Sequence, residues 1–421
     1  MTLPWRALAL AGLCAGLPPA SAADDGPTGE LRLHWDDRQA AGQGPLAEAN
    51  RLQPGVAPPT PSAAVAEAEL RHTLHAKVGG QPWSLGTNLL AWQERMSGAG
   101  ANSHARVNEL HLGTELGAWG LAAGKKVLGW DVGYGFRPND VVQQETRRTQ
   151  LSVTPEGRPL IELEHFGSDS ASTLVWVNPQ RLNSASIPWR AQESALAGRW
   201  YQRSGAVDWH AFGRIGEHTR ASVGAAVAWV AGDEVELHAS WRAMQRHDGW
   251  RIDGTAAAAP VRINPWQLQT LGNARQWLLG LNWTGQQQQG LMVEAWHDGT
   301  ALPDSAWDAW LARNRGLRHA PAPMPAVAGN LAWQASPFDS ASLRRDNLFI
   351  RASWQPGPWL WTLDALVQPA DGGRLLTAGL QWQGDRIKLN ASWRLYGGPA
   401  NAVMAQLPQR RSGLVAATWA F

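Results

Sequence analysis

The sequence of 421 residues has one cysteine, three tyrosines and six phenylalanines, and only 17% of it is charged. The single Cys14 lies in the N-terminal stretch that reads as an export signal, so the mature protein is expected to have no cysteine, and with it no disulfide and no cysteine-based metal or nucleophile site. No segment offers the roughly 18 to 20 uninterrupted apolar residues that a membrane-spanning helix needs. Helical heptads, GxGxxG and GxxxxGK[ST] loops are missing, which removes nucleotide-binding domains and coiled coils. GxSxG and HExxH are missing too, so no enzymatic role, catalytic residue, metal or cofactor is expected. His72 and His75, three apart on an extended run, fall on opposite faces and make a poor metal pair. His247-Asp248 and His297-Asp298 are the chance neighbours that 12 histidines produce. No nucleic-acid partner is expected, the formal net charge being only +2.

What the chain does have is 26 Trp and 44 Gly. Residues 1–22 read as an export signal: "MTLPWR" is the positive end, "ALALAGLCAGL" the apolar run, and Ala20-Ser21-Ala22 the cleavage pattern. The rest, 23–421, reads as one all-β domain. Apolar and polar residues alternate in runs of about ten, the length of a tilted strand crossing a bilayer. In "IKLNASWRL", Ile387, Leu389, Ala391, Trp393 and Leu395 share one face, and Lys388, Asn390, Ser392 and Arg394 the other. In "EVELHASWR", Val235, Leu237, Ala239 and Trp241 oppose Glu236, His238, Ser240 and Arg242. The apolar face repeatedly ends in Trp, as a lipid-facing band bounded by interfacial indoles would.

Connections alternate in length. "GD", "PGP", "GQQQQG", "AGDE", "SG", "GSDSAS", "GAWG" and "GGQP" are short. Residues 137–158, 179–193, 244–272 and 299–345 are long, and "GEHT" is an exception. Short turns on one side and long loops on the other define a transmembrane antiparallel β-barrel with periplasmic turns and extracellular loops. Counting "GELRLHW" as the first strand gives about 18 strands, or about 16 if that run or one middle run is not a strand; an even number closes the sheet without an unpaired edge in lipid. Residues 40–64, rich in Pro and Ala, are expected to be a flexible connection. A short amphipathic helix is expected over 303–317 inside the loop 299–345, with Trp307, Trp310 and Leu311 at helical spacing.

The end, "GLVAATWAF", resembles the last strand of Gram-negative outer-membrane barrels. That resemblance implies that Trp419 and the terminal Phe421 are part of a signal read by the barrel-assembly machinery, and that the protein sits in the bacterial outer membrane among its lipids. The stretch "AGKKVLGWDVGYGFRPNDVVQQE", residues 123–145, is loosely similar to barrels of the alginate-export and porin-like group. The similarity implies a porin-like channel for diffusion or export of small hydrophilic solutes or a polar polymer. By alternation alone, Leu128, Trp130, Val132 and Tyr134 are expected to face outward from a strand there, with Asp131 inward. An inward-folded loop carrying Arg137, Asp140, Arg147 and Arg148 would narrow the channel.

Polar faces supply the expected pore lining: Glu109, Asp131, Glu162, Glu164, Glu236, His238, Arg242, Glu294, Arg351, Asp364, Lys388 and Arg394. Acidic groups on the middle strands and basic ones on the last would set a transverse field. The rival is a plugged barrel acting as a surface interaction or assembly protein through 299–345. A large plug domain has no room between the first two strands. A homotrimer is left open.

Overall fold

The computed structural model describes residues 26–143, 150, 154–178, 193–253, 256 and 259–421. The expected signal peptide, Cys14, Arg147 and Arg148 lie outside the described residues. Twenty strands follow in chain order. The first seven are β1 (Thr28–Ala40), β2 (Ala63–Val78), β3 (Gln81–Met96), β4 (Ala101–Leu116), β5 (Trp119–Lys126), β6 (Arg158–Phe166) and β7 (Ser170–Val177). Then come β8 (Ala195–Ser204), β9 (Val207–Gly216), β10 (Arg220–Val230), β11 (Val235–Met244), β12 (His247–Ile252) and β13 (Trp266–Leu271). The last seven are β14 (Ala274–Thr284), β15 (Gln289–Asp298), β16 (Asp346–Trp354), β17 (Trp359–Gln368), β18 (Gly373–Gln383), β19 (Ile387–Gly397) and β20 (Gln409–Ala420).

Each strand pairs antiparallel with the next, except that β11 pairs directly with β14, while β12 and β13 form a separate hairpin. β20 pairs with β1, Leu33 opposite Ala417 and Trp35 opposite Val415, and an 18-stranded barrel closes. The run "GELRLHW" is therefore a true strand, and the count of 18 holds over 16. At the seam Gly29 N–H donates to the Phe421 carbonyl at 2.9 Å and Phe421 N–H to the Gly29 carbonyl at 3.0 Å.

In β19 the apolar residues Ile387, Leu389, Ala391, Trp393 and Leu395 are the exposed set, and the polar residues between them are shielded inside. That inverts the pattern of a water-soluble sheet, whose apolar face is covered. Among the described residues thirteen tryptophans are more than a third exposed, all on barrel strands. Trp241 faces Trp277 near one rim, and Trp354 faces Trp361 near the other.

The rim with the long connections carries a cap. There α1 (Pro45–Leu52), α2 (Asp304–Arg318) and α3 (Met324–Trp333) pack beside the β12–β13 hairpin. The helix expected over 303–317 is α2. Trp307 and Trp310 on its inner face are buried, and their indole N–H groups donate to the carbonyls of Leu343 and Gln334 at 2.7 and 2.8 Å. Trp307 and Trp310 pack with Trp266, Leu343 and Met404 in one apolar cluster. The flexible connection expected over 40–64 is corrected: α1 forms within it, Pro at its first turn fixing the backbone for a helix. Ala49 of α1 packs under Leu317, Val327 and Leu331, and Arg318 pairs with Glu48.

Candidate functional site: a constricted lumen

The strand expected to continue through 128–134 stops at Lys126. Residues 127–143 turn into the barrel instead. Trp130, expected to face outward, is 5% exposed and packs with Val141 and Val142 against Leu160, Val175, Val177, Ala197, Phe212 and Ala226 of the inner wall. Burying this apolar set contributes about 1.5–3 kcal/mol per large side chain. The physical reason is glycine. A Cβ at Gly133 would sit 2.0 Å from the Phe136 carbonyl oxygen, and one at Gly135 3.0 Å from Glu294 Oε2, so the loop backbone lies closer to itself and to the wall than a side chain allows.

Two carboxylates hold the loop in place. Glu294 on β15, fully buried, accepts the backbone N–H groups of Tyr134 and Gly135 at 2.7 and 2.6 Å, and its Oε1 lies 2.9 Å from His238 Nε2 on β11. Asp131, within the loop, accepts from Val132 N–H at 2.9 Å, from Asn139 N–H, and from the Ser240 hydroxyl at 2.8 and 3.0 Å. Burial pushes its carboxyl above the usual range, these hydrogen bonds and the nearby Arg137 pulling the other way. Asn139 donates to Ser240 Oγ at 2.8 Å and to the Trp241 carbonyl at 3.1 Å, in a niche opened by Gly224, where a Cβ would sit 1.8 Å from its Oδ1. Arg242 donates to the Pro138 carbonyl at 3.1 Å and to Ser222 Oγ at 3.0 Å.

The loop also reaches the far wall. Arg351 on β16 donates to Tyr134 Oη at 2.7 Å, lies 5.4 Å from the centre of its ring, and pairs with Asp364 at 3.3 Å. Gln150 donates to Ser392 Oγ at 3.2 Å, and the Ser412 hydroxyl donates to its Oε1. Beyond the loop, a water-accessible cavity of about 1300 Å³ runs along β16–β20 and β1 and also meets residues of β9–β11, β14 and β15. It extends from Gln276, His247 and Asp298 at the capped rim to Gln381, Lys388 and Thr418 toward the other.

The expected pore lining divides in two. Arg242, Arg351, Asp364, Lys388 and Arg394 line this cavity, as do Arg137 and Asp140 of the loop. Arg394 Nε donates to Thr377 Oγ1 at 3.0 Å, and Arg137 Nε to the Gly133 carbonyl at 2.8 Å. Glu109, Asp131, Glu162, Glu164, Glu236, His238 and Glu294 are not among the residues that line this cavity. Glu162, His238 and Glu294 are buried, whereas the Glu236 side chain is 41% exposed. Glu162 pairs with Lys126, Glu109 accepts Val127 N–H at 2.9 Å, Glu164 accepts the Thr173 hydroxyl at 3.0 Å, and Glu236 accepts from Asn282 at 3.4 Å. Alternation gives which side a residue faces but not that a loop covers it. Missed in the sequence were Tyr134 as the crossing point, Asn139 and Gln150 as anchors, and Arg32, Arg106 and Arg158 as further lining. The glycines of 129–135 and the "RPND" turn are the signal that could have marked a loop there.

No known family profile and no curated protein matches the sequence. Solved structures do. OccAB1 of Acinetobacter baumannii aligns over 94% of this chain and 96% of its own, with a TM-score of 0.61 and 10% identity. OccK5 (OpdH) of Pseudomonas aeruginosa aligns over 94% and 97%, with a TM-score of 0.54 and 8% identity. OccAB3 of Acinetobacter baumannii aligns over 94% and 99%, with a TM-score of 0.53 and 10% identity. The chain has the fold of the outer-membrane porins. Membership of the alginate-export group is not supported by these similarities.

Proposed function

We propose that this porin-fold protein is an outer-membrane channel that lets small hydrophilic solutes diffuse along the β16–β1 wall, with a preference for anions. The observation that carries the proposal is the cavity that runs from rim to rim past the inward loop. The exposed apolar band and its tryptophans support a lipid setting, with the short turns periplasmic and the cap outside. Small solutes are favoured over a polymer because the loop touches the far wall both at Arg351 and at Ser392.

Charge supports the anion preference. Eleven Arg or Lys and seven Asp or Glu line the cavity. Several cancel in pairs, Arg32 with Glu30, Arg106 with Glu156 and Arg351 with Asp364. Among the described residues Arg220, Arg246 and Lys388 have no acidic partner within 4 Å, and Asp298 and Asp339 no basic one, so the excess of cations in the lining stands. Fixed charge of one sign raises the local concentration of its counter-ion. By the same proposal Trp419 and Phe421 serve the assembly machinery, since the barrel closes through them.

The test is conductance of the refolded mature protein in a planar bilayer under a salt gradient. Steady openings with a reversal potential of anion-selective sign are expected. Silence from a folded barrel would overturn the proposal and favour a surface interaction protein working through 299–345.

A further inference from the structure

We propose that His218 is a proton-operated latch that holds the β12–β13 hairpin at the channel mouth. The inference rests on the channel reading for its consequence, but not for its geometry. His218 sits in the turn between β9 and β10, where its Nδ1 lies 3.0 Å from Glu193 Oε2 and its Nε2 lies 2.9 Å from Asp248 Oδ2. Both carboxylate side chains are 1% exposed, whereas that of His218 is 37% exposed and can exchange a proton with water.

A carboxylate oxygen only accepts, so both contacts are hydrogen bonds only when both ring nitrogens carry hydrogen, that is, in the imidazolium. A neutral ring keeps one bond and turns a lone pair toward the other carboxylate. The remaining groups around the ring donate to the two carboxylates. Glu193 takes Arg214 Nη1 at 2.7 Å, the N–H groups of His218 and Thr219 at 2.9 and 3.1 Å, and the Thr219 hydroxyl. Burial alone would raise its carboxyl, and Arg214 with these donors holds it below the usual range. Asp248 takes the Thr270 hydroxyl at 2.8 Å from the paired strand of the hairpin. The neighbouring His247 is committed to the Gly272 carbonyl at 2.8 Å, and Arg220 follows one residue beyond Thr219.

The latch thus joins three connections: Glu193 before β8, the β9–β10 turn, and the β12–β13 hairpin. His247 and Asp248 line the cavity, so the first residues of the hairpin are part of its rim. Loss of the His218 proton to water breaks one of the two bonds and releases the hairpin from the turn, while Trp250 and Trp266 keep it joined to Asp339 and Gln334. A charge-assisted hydrogen bond changes such a ratio by roughly tenfold or more.

The experiment uses the full mature chain in vesicles, with Gln267→Cys spin-labelled on β13 as its sole cysteine. The mobile fraction of the label is expected to rise about tenfold relative to the immobile one between pH 5.5 and 8.5. His218→Gln is expected to be mobile at both pH values, and His218→Arg, always charged, immobile at both. Equal mobility of the unaltered latch at the two pH values, or a pH dependence that survives in His218→Gln, would overturn the proposal. Because label mobility needs no current, a silent barrel with a pH-dependent label refutes only the channel reading.

Discussion

Glu294 is the strongest single hold on the inward loop, and its removal has a calculable result. Its buried carboxylate takes two backbone N–H groups at 2.7 and 2.6 Å, with His238 beside it at 2.9 Å. Hydrogen bonds to a charged acceptor contribute about 1.5–3 kcal/mol each. Glu294→Ala removes both and leaves two N–H groups facing an apolar gap, so docking of residues 133–137 should weaken by roughly 3–5 kcal/mol, allowing for partial access of water. That is a change of about a hundredfold to a few thousandfold in the docked-to-undocked ratio. Glu294→Gln should fall between, because its amide accepts one N–H and sets an NH2 against the other. Asp131, Arg242 and the apolar contacts of Trp130 remain, so the loop should loosen locally and the barrel stay closed. Single-channel recording, with swelling of vesicles in sugars of increasing size, should show higher, noisier conductance and a larger size limit for Glu294→Ala. The shift from compact to unfolded gel mobility on heating should be unchanged. A Glu294→Ala barrel with the native conductance and size limit would refute the anchoring role.

Lys388→Glu should lower the anion preference, read as a smaller reversal potential at constant conductance, because it replaces an unpaired lumen cation by an anion. Arg351→Ala should raise conductance as well as lower selectivity, since Tyr134 loses its partner on the far wall. Gly224→Ala puts a methyl group 1.8 Å from Asn139 Oδ1 and should displace the loop, with current noise resembling that of Glu294→Ala. Burial raises the Asp131 carboxyl, so the docked loop binds more protons than the undocked one. Docking should therefore strengthen as pH falls through that raised value and weaken above it; Asp131→Asn should abolish this component of the noise, His218→Gln should not. Trp307→Ala should cost the cap about 3–5 kcal/mol and expose α2 to hydrogen exchange while strand amides stay protected.

Barrel architecture was legible because a two-residue period, ten-residue runs and interfacial tryptophans all follow from one requirement, that an apolar band faces outward while every strand finds two neighbours. The alternation of connection lengths followed as well, down to the short β9–β10 turn on the long side. "KKVLGWDVGYG" defeated the same rule. Its alternation is real, but the positions between its large residues are Gly129 and Gly133, which allow a packed loop as readily as a strand. The roles of Glu162, His238 and Glu294 were illegible for a different reason: an inward carboxylate looks the same in sequence whether water or a loop N–H meets it. The β12–β13 hairpin was hidden inside 244–272 because its partners, His218, Asp339 and Gln334, lie in other connections. Helix α1 was masked by the proline that starts it.

The inward loop is joined to the walls by contacts of long sequence separation: 160 residues from Tyr134 to Glu294, 217 to Arg351, and 262 from Gln150 to Ser412. Ser412 lies on β20, the strand that completes the ring, so that contact has no partner in place until the last strand is laid down. The anchors at Glu294, Ser240 and Arg351 lie on other strands, so of the loop's holds this one alone is tied to the closing strand, and the last strand of the chain serves the constriction as well as the wall.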